Sequence, residues 1–212
     1  MIKYGCMALI AMACSTVAPA AQAKGGFFVG GQAGEATYDD SGLDEDSAGT
    51  RALNGGYRWQ AGAITQIGIE AGFGKVDEIT QDYYFDDGFY TQNARVGMDA
   101  EYLLFGANAR FNFGRDSRWF AIGRGGYMDY EQNSYTQGTL YADGVQLDEY
   151  NRSISDNGGG AYFGAGVGMD VTPNFNVNLM FNSYAYTSYD DGYMSDEVSS
   201  ATATTLGIEV RF

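Results

Sequence analysis

The chain contains no histidine, and its only cysteines, Cys6 and Cys14, lie near the N-terminus. Without histidine, the imidazole general base of the common hydrolytic triads is unavailable. Without thiols beyond residue 14, the body of the chain can form no disulfide and no thiolate metal site. Proline occurs only twice. Past the N-terminus, no apolar run approaches the roughly 20 residues that a membrane helix requires. Basic residues are also scarce, with 12 Lys and Arg against 27 Asp and Glu. So acidic a chain is excluded as a nucleic-acid binder, because phosphate contacts need Lys and Arg.

What is present begins with an export signal. Lys3 supplies a short positive region, Met7 to Ala13 is apolar but too short to span a bilayer, and Ala21-Gln22-Ala23 fits the small-x-small pattern before a cleavage point. Residues 1–23 are therefore read as a cleaved signal peptide and residues 24–212 as one barrel domain. Lipid attachment at Cys14 is the alternative, but Ala11-Met12-Ala13 lacks the leucine-like residue expected three positions before such a cysteine. Removing Lys3 with the signal leaves 27 acidic and 11 basic residues, a net charge of −16.

The 31 glycines and 17 tyrosines favour strands over helices. The last residues alternate: Leu206, Ile208, Val210 and Phe212 share one face, and Thr205, Gly207, Glu209 and Arg211 the other. Period two is the mark of a strand. Seven further segments alternate in the same way, near residues 26–38, 51–60, 65–76, 101–113, 118–130, 160–171 and 175–186. Their apolar faces are large and nearly free of charge, and their polar faces are rich in Gly and Asn. A chain that enters a membrane without apolar helices must do so as a closed barrel, which satisfies every backbone hydrogen bond. The pattern predicts an all-β fold, an eight-stranded antiparallel up-and-down transmembrane β-barrel with apolar side chains facing lipid.

Connections alternate between short turns (around 61–64, 114–117 and 172–174) and long acidic loops (39–50, 77–95, 131–157 and 187–200). Short periplasmic turns and long external loops are the outer-membrane arrangement. Phe27, Trp59, Phe111, Phe113, Trp119, Phe175 and Phe212 are expected in an aromatic belt at the short-turn rim. Tyr38, Tyr127, Tyr130 and Tyr186 are expected in a second belt at the long-loop rim.

The signal, the eight strands, the turn pattern and the terminal Gly207-Ile208-Glu209-Val210-Arg211-Phe212 resemble the small outer-membrane β-barrels, a family that includes the membrane domain of outer membrane protein A, outer membrane protein X and the opacity proteins. Gly158 to Asn174 resembles the sixth strand and turn of that family. The resemblance implies residence in the cell outer membrane of a Gram-negative bacterium. It also implies partners: outer-membrane lipid, lipopolysaccharide, and the barrel-assembly machinery, which would read Ile208, Val210 and Phe212. The expected form is a monomer.

Candidate chemistry is sparse. Arg58, Glu70, Arg110, Arg124, Glu209 and Arg211 fall on the inward faces, where buried charges must pair or be hydrated. They are read as a structural polar network, with a narrow ion path as the alternative. Asp40, Gly42, Asp44 and Asp46 are faintly spaced like a calcium loop but lack its glycine at position six and its terminal glutamate. Ser195 and Asp196 are ordinary loop chemistry. No cofactor, metal or catalytic residue is expected, and the chain is not read as an enzyme. Tyr83, Tyr84, Tyr90, Tyr135, Tyr141, Tyr150, Tyr184, Tyr186, Tyr189 and Tyr193 suit recognition, since tyrosine offers rigid area with a polar tip. The functional expectation is a structural or surface-interaction role through the external loops. A porin-like narrow pore is the alternative.

Overall fold

The computed structural model describes residues 25–38, 47–188 and 197–212. The signal peptide, the calcium-like Asp40 to Asp46 segment, Tyr189, Tyr193, Ser195 and Asp196 lie outside the described residues. Eight strands follow in chain order: β1 (Gly25–Tyr38), β2 (Ser47–Gln60), β3 (Thr65–Asp86), β4 (Tyr90–Asn112), β5 (Trp119–Ala142), β6 (Val145–Thr172), β7 (Phe175–Ser188) and β8 (Glu197–Arg211). Each pairs antiparallel with its sequence neighbour, and β8 closes on β1 from Phe28↔Arg211 to Tyr38↔Ala201. The fold is an eight-stranded, up-and-down closed barrel.

The period-two pattern decides which side is which. On β8, Leu206 and Ile208 are 71% and 53% exposed, while Thr205 and Glu209 between and beside them are 4% and 6% exposed. The same alternation runs around the ring, with Leu53, Ile67, Phe105, Phe163 and Phe181 outward. The apolar exterior is therefore continuous and the polar side chains are enclosed. From Leu103 on β4 to Phe113 just beyond its end, apolar residues point outward. Ten residue steps at about 3.4 Å, tilted by about 40°, span about 26 Å, the height of an outer-membrane apolar band.

At the short-turn rim, Phe27, Trp59, Phe111, Phe113, Trp119 and Phe212 all point outward, and Phe175 is half-buried. Phe27, Tyr57 and Trp59 stack edge to face at 4.9 and 5.0 Å. The other rim differs from the sequence expectation. Tyr127 faces outward, but Tyr38 and Tyr130 are buried inside the barrel mouth and Tyr186 packs against that cluster. Tyr130 has the parity of inward Arg124, so the strand's own alternation outweighs the interfacial preference of its ring.

Two of the predicted long loops are strand. β3 to β6 are 22, 23, 24 and 28 residues long, against 14 or 15 for the others. A tilted strand needs only about 9–11 residues to cross the membrane. The surplus stands outside as a four-stranded sheet, with Asp86↔Thr91, Tyr90↔Ala142 and Ala142↔Val145 at its top. The β5–β6 hairpin closes on Asp143-Gly144, both at positive φ (49° and 74°), the two-residue turn whose twist matches that of the strands. The Asp-Gly pair was the signal that the composition-based loop assignment missed.

Tyrosine and glycine are abundant for a shared reason. Gly74 lies opposite Tyr102, Gly97 opposite Tyr135 and Gly138 opposite Tyr150 in neighbouring strands. A Cβ at any of the three would overlap the ring across from it. Each ring lies flat over the backbone of its partner strand and shields it, which stiffens the long hairpins.

Candidate functional site

The barrel interior has two layers. Toward the external end it is aromatic and apolar: Tyr38, Tyr102, Tyr130, Tyr162 and Tyr184 are buried with Leu104 and Met128. Tyr102 and Tyr184 meet at 5.5 Å between ring centres, and Tyr130 and Tyr186 at 4.9 Å. These rings fill the mouth.

Below them lies the ionic layer, which brings together all six charged residues singled out from the sequence. Arg58 on β2 binds Glu209 on β8 with both terminal nitrogens (2.7 and 2.9 Å) and donates from Nε to Asn108 Oδ1 at 2.6 Å. Its guanidinium lies 3.9 Å above the Phe28 ring. Asn108 passes the chain on by donating to Glu70 Oε2 at 3.0 Å, and Tyr162 Oη donates to Glu70 Oε1 at 2.8 Å. Arg124 sits 3.9 Å from Glu70 and donates to Asn182 Oδ1 at 3.0 and 2.8 Å and to Gln32 at 3.3 Å. Asn176 donates to Glu209 at 3.0 Å. Nearer the short turns, Arg110 and Arg211 both bind Asp170, one on each carboxylate oxygen. Arg110 also covers the Phe120 ring at 3.7 Å.

Asp170, Asn108, Asn176, Asn182, Gln32 and Tyr162 were not among the residues singled out. Alternation on β6 puts Asp170 inward with Gly164, Gly166 and Gly168, so its place was legible. The amides carried no comparable signal, because Asn and Gln suit a lumen wall whether or not they bind a charge. The space left among Gly30, Asn54, Arg58, Glu70, Asn178 and Glu209 is about 10 Å³, room for about one water.

The second feature is the raised sheet, residues 77–99 and 131–157, which carries eleven acidic residues, two arginines and six tyrosines. On its outer face Arg95 forks onto Asp82 at 2.7 and 3.0 Å, and Tyr135 Oη donates to Glu78. The Arg95 bond holds the Asp82 carboxyl below its ordinary pKa, and the Glu78 bond pushes the Tyr135 phenol up. At the β3–β4 tip, Asp87 Oδ1 accepts from the amides of Tyr90 (2.6 Å) and Phe89 (2.9 Å), which lowers the Asp87 pKa. Asp143 N donates to Phe89 O at 3.0 Å and ties the two tips together. The opposite face has lumen parity and is mixed: Tyr83, Phe85 and Ile154, exposed by about half, share it with Gln92, Arg152 and Asp156. Among the described residues, β3 beyond Val76 pairs only with β4, and β6 before Gly160 pairs only with β5. Neither edge carries a further strand among the described residues.

An apolar exterior, an enclosed polar lumen and short turns opposite long hairpins together define a transmembrane β-barrel of the bacterial outer membrane. The family model for the outer membrane protein beta-barrel domain matches residues 6–212. The chain belongs to that family, and it resides in the cell outer membrane. Similar solved structures include Ail, the attachment invasion locus protein of Yersinia pestis (18% identity, 89% of this chain and 97% of that one, TM-score 0.45). Neisserial surface protein A (15%, 88% and 97%, 0.44) and CarO2 of Acinetobacter baumannii (13%, 87% and 99%, 0.40) are others. Among curated proteins, none matches at the level of sequence.

Proposed function

We propose that this protein is a monomeric surface-interaction barrel, in which the membrane domain is a rigid support and the raised β3–β6 sheet meets external partners. The observation that carries the reading is the pairing of a lumen filled by side chains with a tall, acidic, tyrosine-bearing sheet. The tyrosines of that sheet offer rigid area with a polar tip to a partner. The excess of carboxylates selects partners with a basic surface and speeds their encounter. Residues 1–23 would direct export and be removed. Ile208, Val210 and Phe212, outward on the closing strand, would be read by the barrel-assembly machinery. Outer-membrane lipid and lipopolysaccharide would cover the apolar exterior.

The porin-like alternative needs a continuous water path, and the tyrosine layer and the ion-paired layer both stand across it. Two measurements test the proposal. In planar bilayers the refolded protein should give no single-channel currents, and Arg110→Ala and Glu209→Ala should not open any; steady conductance steps in the wild type would favour the pore. Shortening both hairpins (residues 79–98 and 133–156) to tight turns should leave insertion intact. The same change should abolish binding to a panel of basic proteins by biolayer interferometry. Unchanged binding would remove the raised sheet from the function.

A further inference from the structure

The interior charges do not balance. Arg58, Arg110, Arg124 and Arg211 face only Glu70, Asp170 and Glu209 among the described residues, leaving one positive charge in excess. The excess has a location. Glu209 is held by both terminal nitrogens of Arg58, and Glu70 by Tyr162, Asn108 and Arg124. That leaves Asp170 as the one carboxylate bound to the two guanidinium groups at the short-turn end, with Asn112 Oδ1 accepting from Arg110 Nε at 3.1 Å. Arg110 Nη1 and Arg211 Nε are buried there with no hydrogen-bond partner. The Arg110 side chain is 1% exposed, while Arg211 and Asp170 are 15% and 18% exposed, so the cluster lies at the short-turn mouth, where a small shift of the Arg211 side chain would open the two enclosed nitrogens. Phe120, beneath Arg110, closes the way further in.

Buried cationic donors without partners are costly, and a guanidinium presents its nitrogens in a fixed fork suited to anions. We propose that the periplasmic mouth of the barrel is a blind binding site for a small inorganic anion, a halide or phosphate, held by Arg110 Nη1 and Arg211 Nε beside Asp170. The anion supplies the negative charge that the chain omits. It enters from the periplasm and does not pass Phe120, so the site is compatible with a barrel that conducts nothing.

The test is thermal unfolding of the refolded barrel in a non-ionic detergent, in sodium chloride, sodium phosphate or sodium gluconate at matched ionic strength. Gluconate is too bulky for the mouth and reports screening alone. The wild type should gain Tm saturably in chloride, phosphate or both, with half-saturation at roughly millimolar concentration. Which salt acts separates a halide site from an oxyanion site. Arg211→Gln should lose the saturable part. Asp170→Asn should lower the half-saturating concentration by about tenfold, because it removes a like charge a few ångströms from the anion. Should a variant fail to fold, the side-chain Nε–Hε resonances of Arg110 and Arg211 in ¹⁵N-labelled wild type give the answer directly. They should shift with chloride or phosphate while the Arg95 resonance stays in place. Equal Tm gains in all three salts, or arginine resonances indifferent to the anion, would overturn the site.

Discussion

Arg58 shows what one residue contributes in an enclosed polar layer. Its five donors meet two carboxylate oxygens and an amide, and its flat face rests on Phe28. Truncation would strand Glu209 in a site where its carboxylate is 7% exposed. Arg58→Ala is expected to cost about 3–5 kcal/mol in urea unfolding of the refolded barrel, the usual penalty for breaking a buried pair. Arg58→Met combined with Glu209→Leu should recover much of that loss, because the charge and its partner leave together. A cost under about 1 kcal/mol for the single change would mean that the layer is freely hydrated. Asp87 gives a pH-dependent counterpart outside the membrane. Its native pKa is depressed by the amides of Tyr90 and Phe89. Its contribution is therefore present above the ordinary aspartate value of about 3.9 and is lost as pH falls through the lower native value. Amide exchange at Phe89 and Tyr90 should accelerate across that window and stay slow above it; indifference to pH would sever the link. Alternation alone placed the six interior charges singled out from the sequence and left Asp170 legible beside them, because a one-residue slip would move each into lipid. It could not say which amide pairs with which charge, since those partners lie on other strands at unknown register.

At the scale of the element, the long hairpins depend on turn chemistry and on ring-over-glycine contacts. Gly144 sits at φ 74° in the β5–β6 turn, next to Asp143 at φ 49°. Gly144→Ala should destabilise the raised sheet by about 1–2 kcal/mol, the cost of a left-handed backbone with a Cβ. Limited proteolysis should then cut near residues 140–148 while the membrane-embedded strands remain protected. An unchanged cleavage pattern would show that the hairpin does not rely on this turn. This is also where the sequence was hardest to read. Acidic and polar residues between 77 and 95, and between 131 and 157, imitate loops in composition. Their strand character rests on cross-strand partners such as Asp82 with Arg95 and Gly97 with Tyr135, which become neighbours only after the hairpin has formed. The bulge between Val76 and Ile79 compounds the difficulty, because it reverses the parity of β3 where the strand leaves the membrane.

At the scale of the molecule, charge is sorted from end to end. The raised sheet holds 11 of the 27 acidic residues, and the lumen and the short-turn end hold Arg58, Arg110, Arg124 and Arg211 with Arg115 and Arg118. On the two proposals, the external end would meet basic partners and the periplasmic end small anions. Both readings rest on the same claim, that apolar side chains face the acyl chains while ionic ones are enclosed. The molecule carries its own reporters of that claim. Its only two tryptophans, Trp59 and Trp119, point outward at the short-turn rim with 48% and 54% exposure. The most direct measurement is tryptophan fluorescence of the barrel in vesicles, with bromine-labelled lipids in one series and aqueous iodide in the other. The account predicts strong quenching by lipids brominated near the headgroup end of the acyl chain and little by iodide. Strong iodide quenching with none from brominated lipid would contradict it.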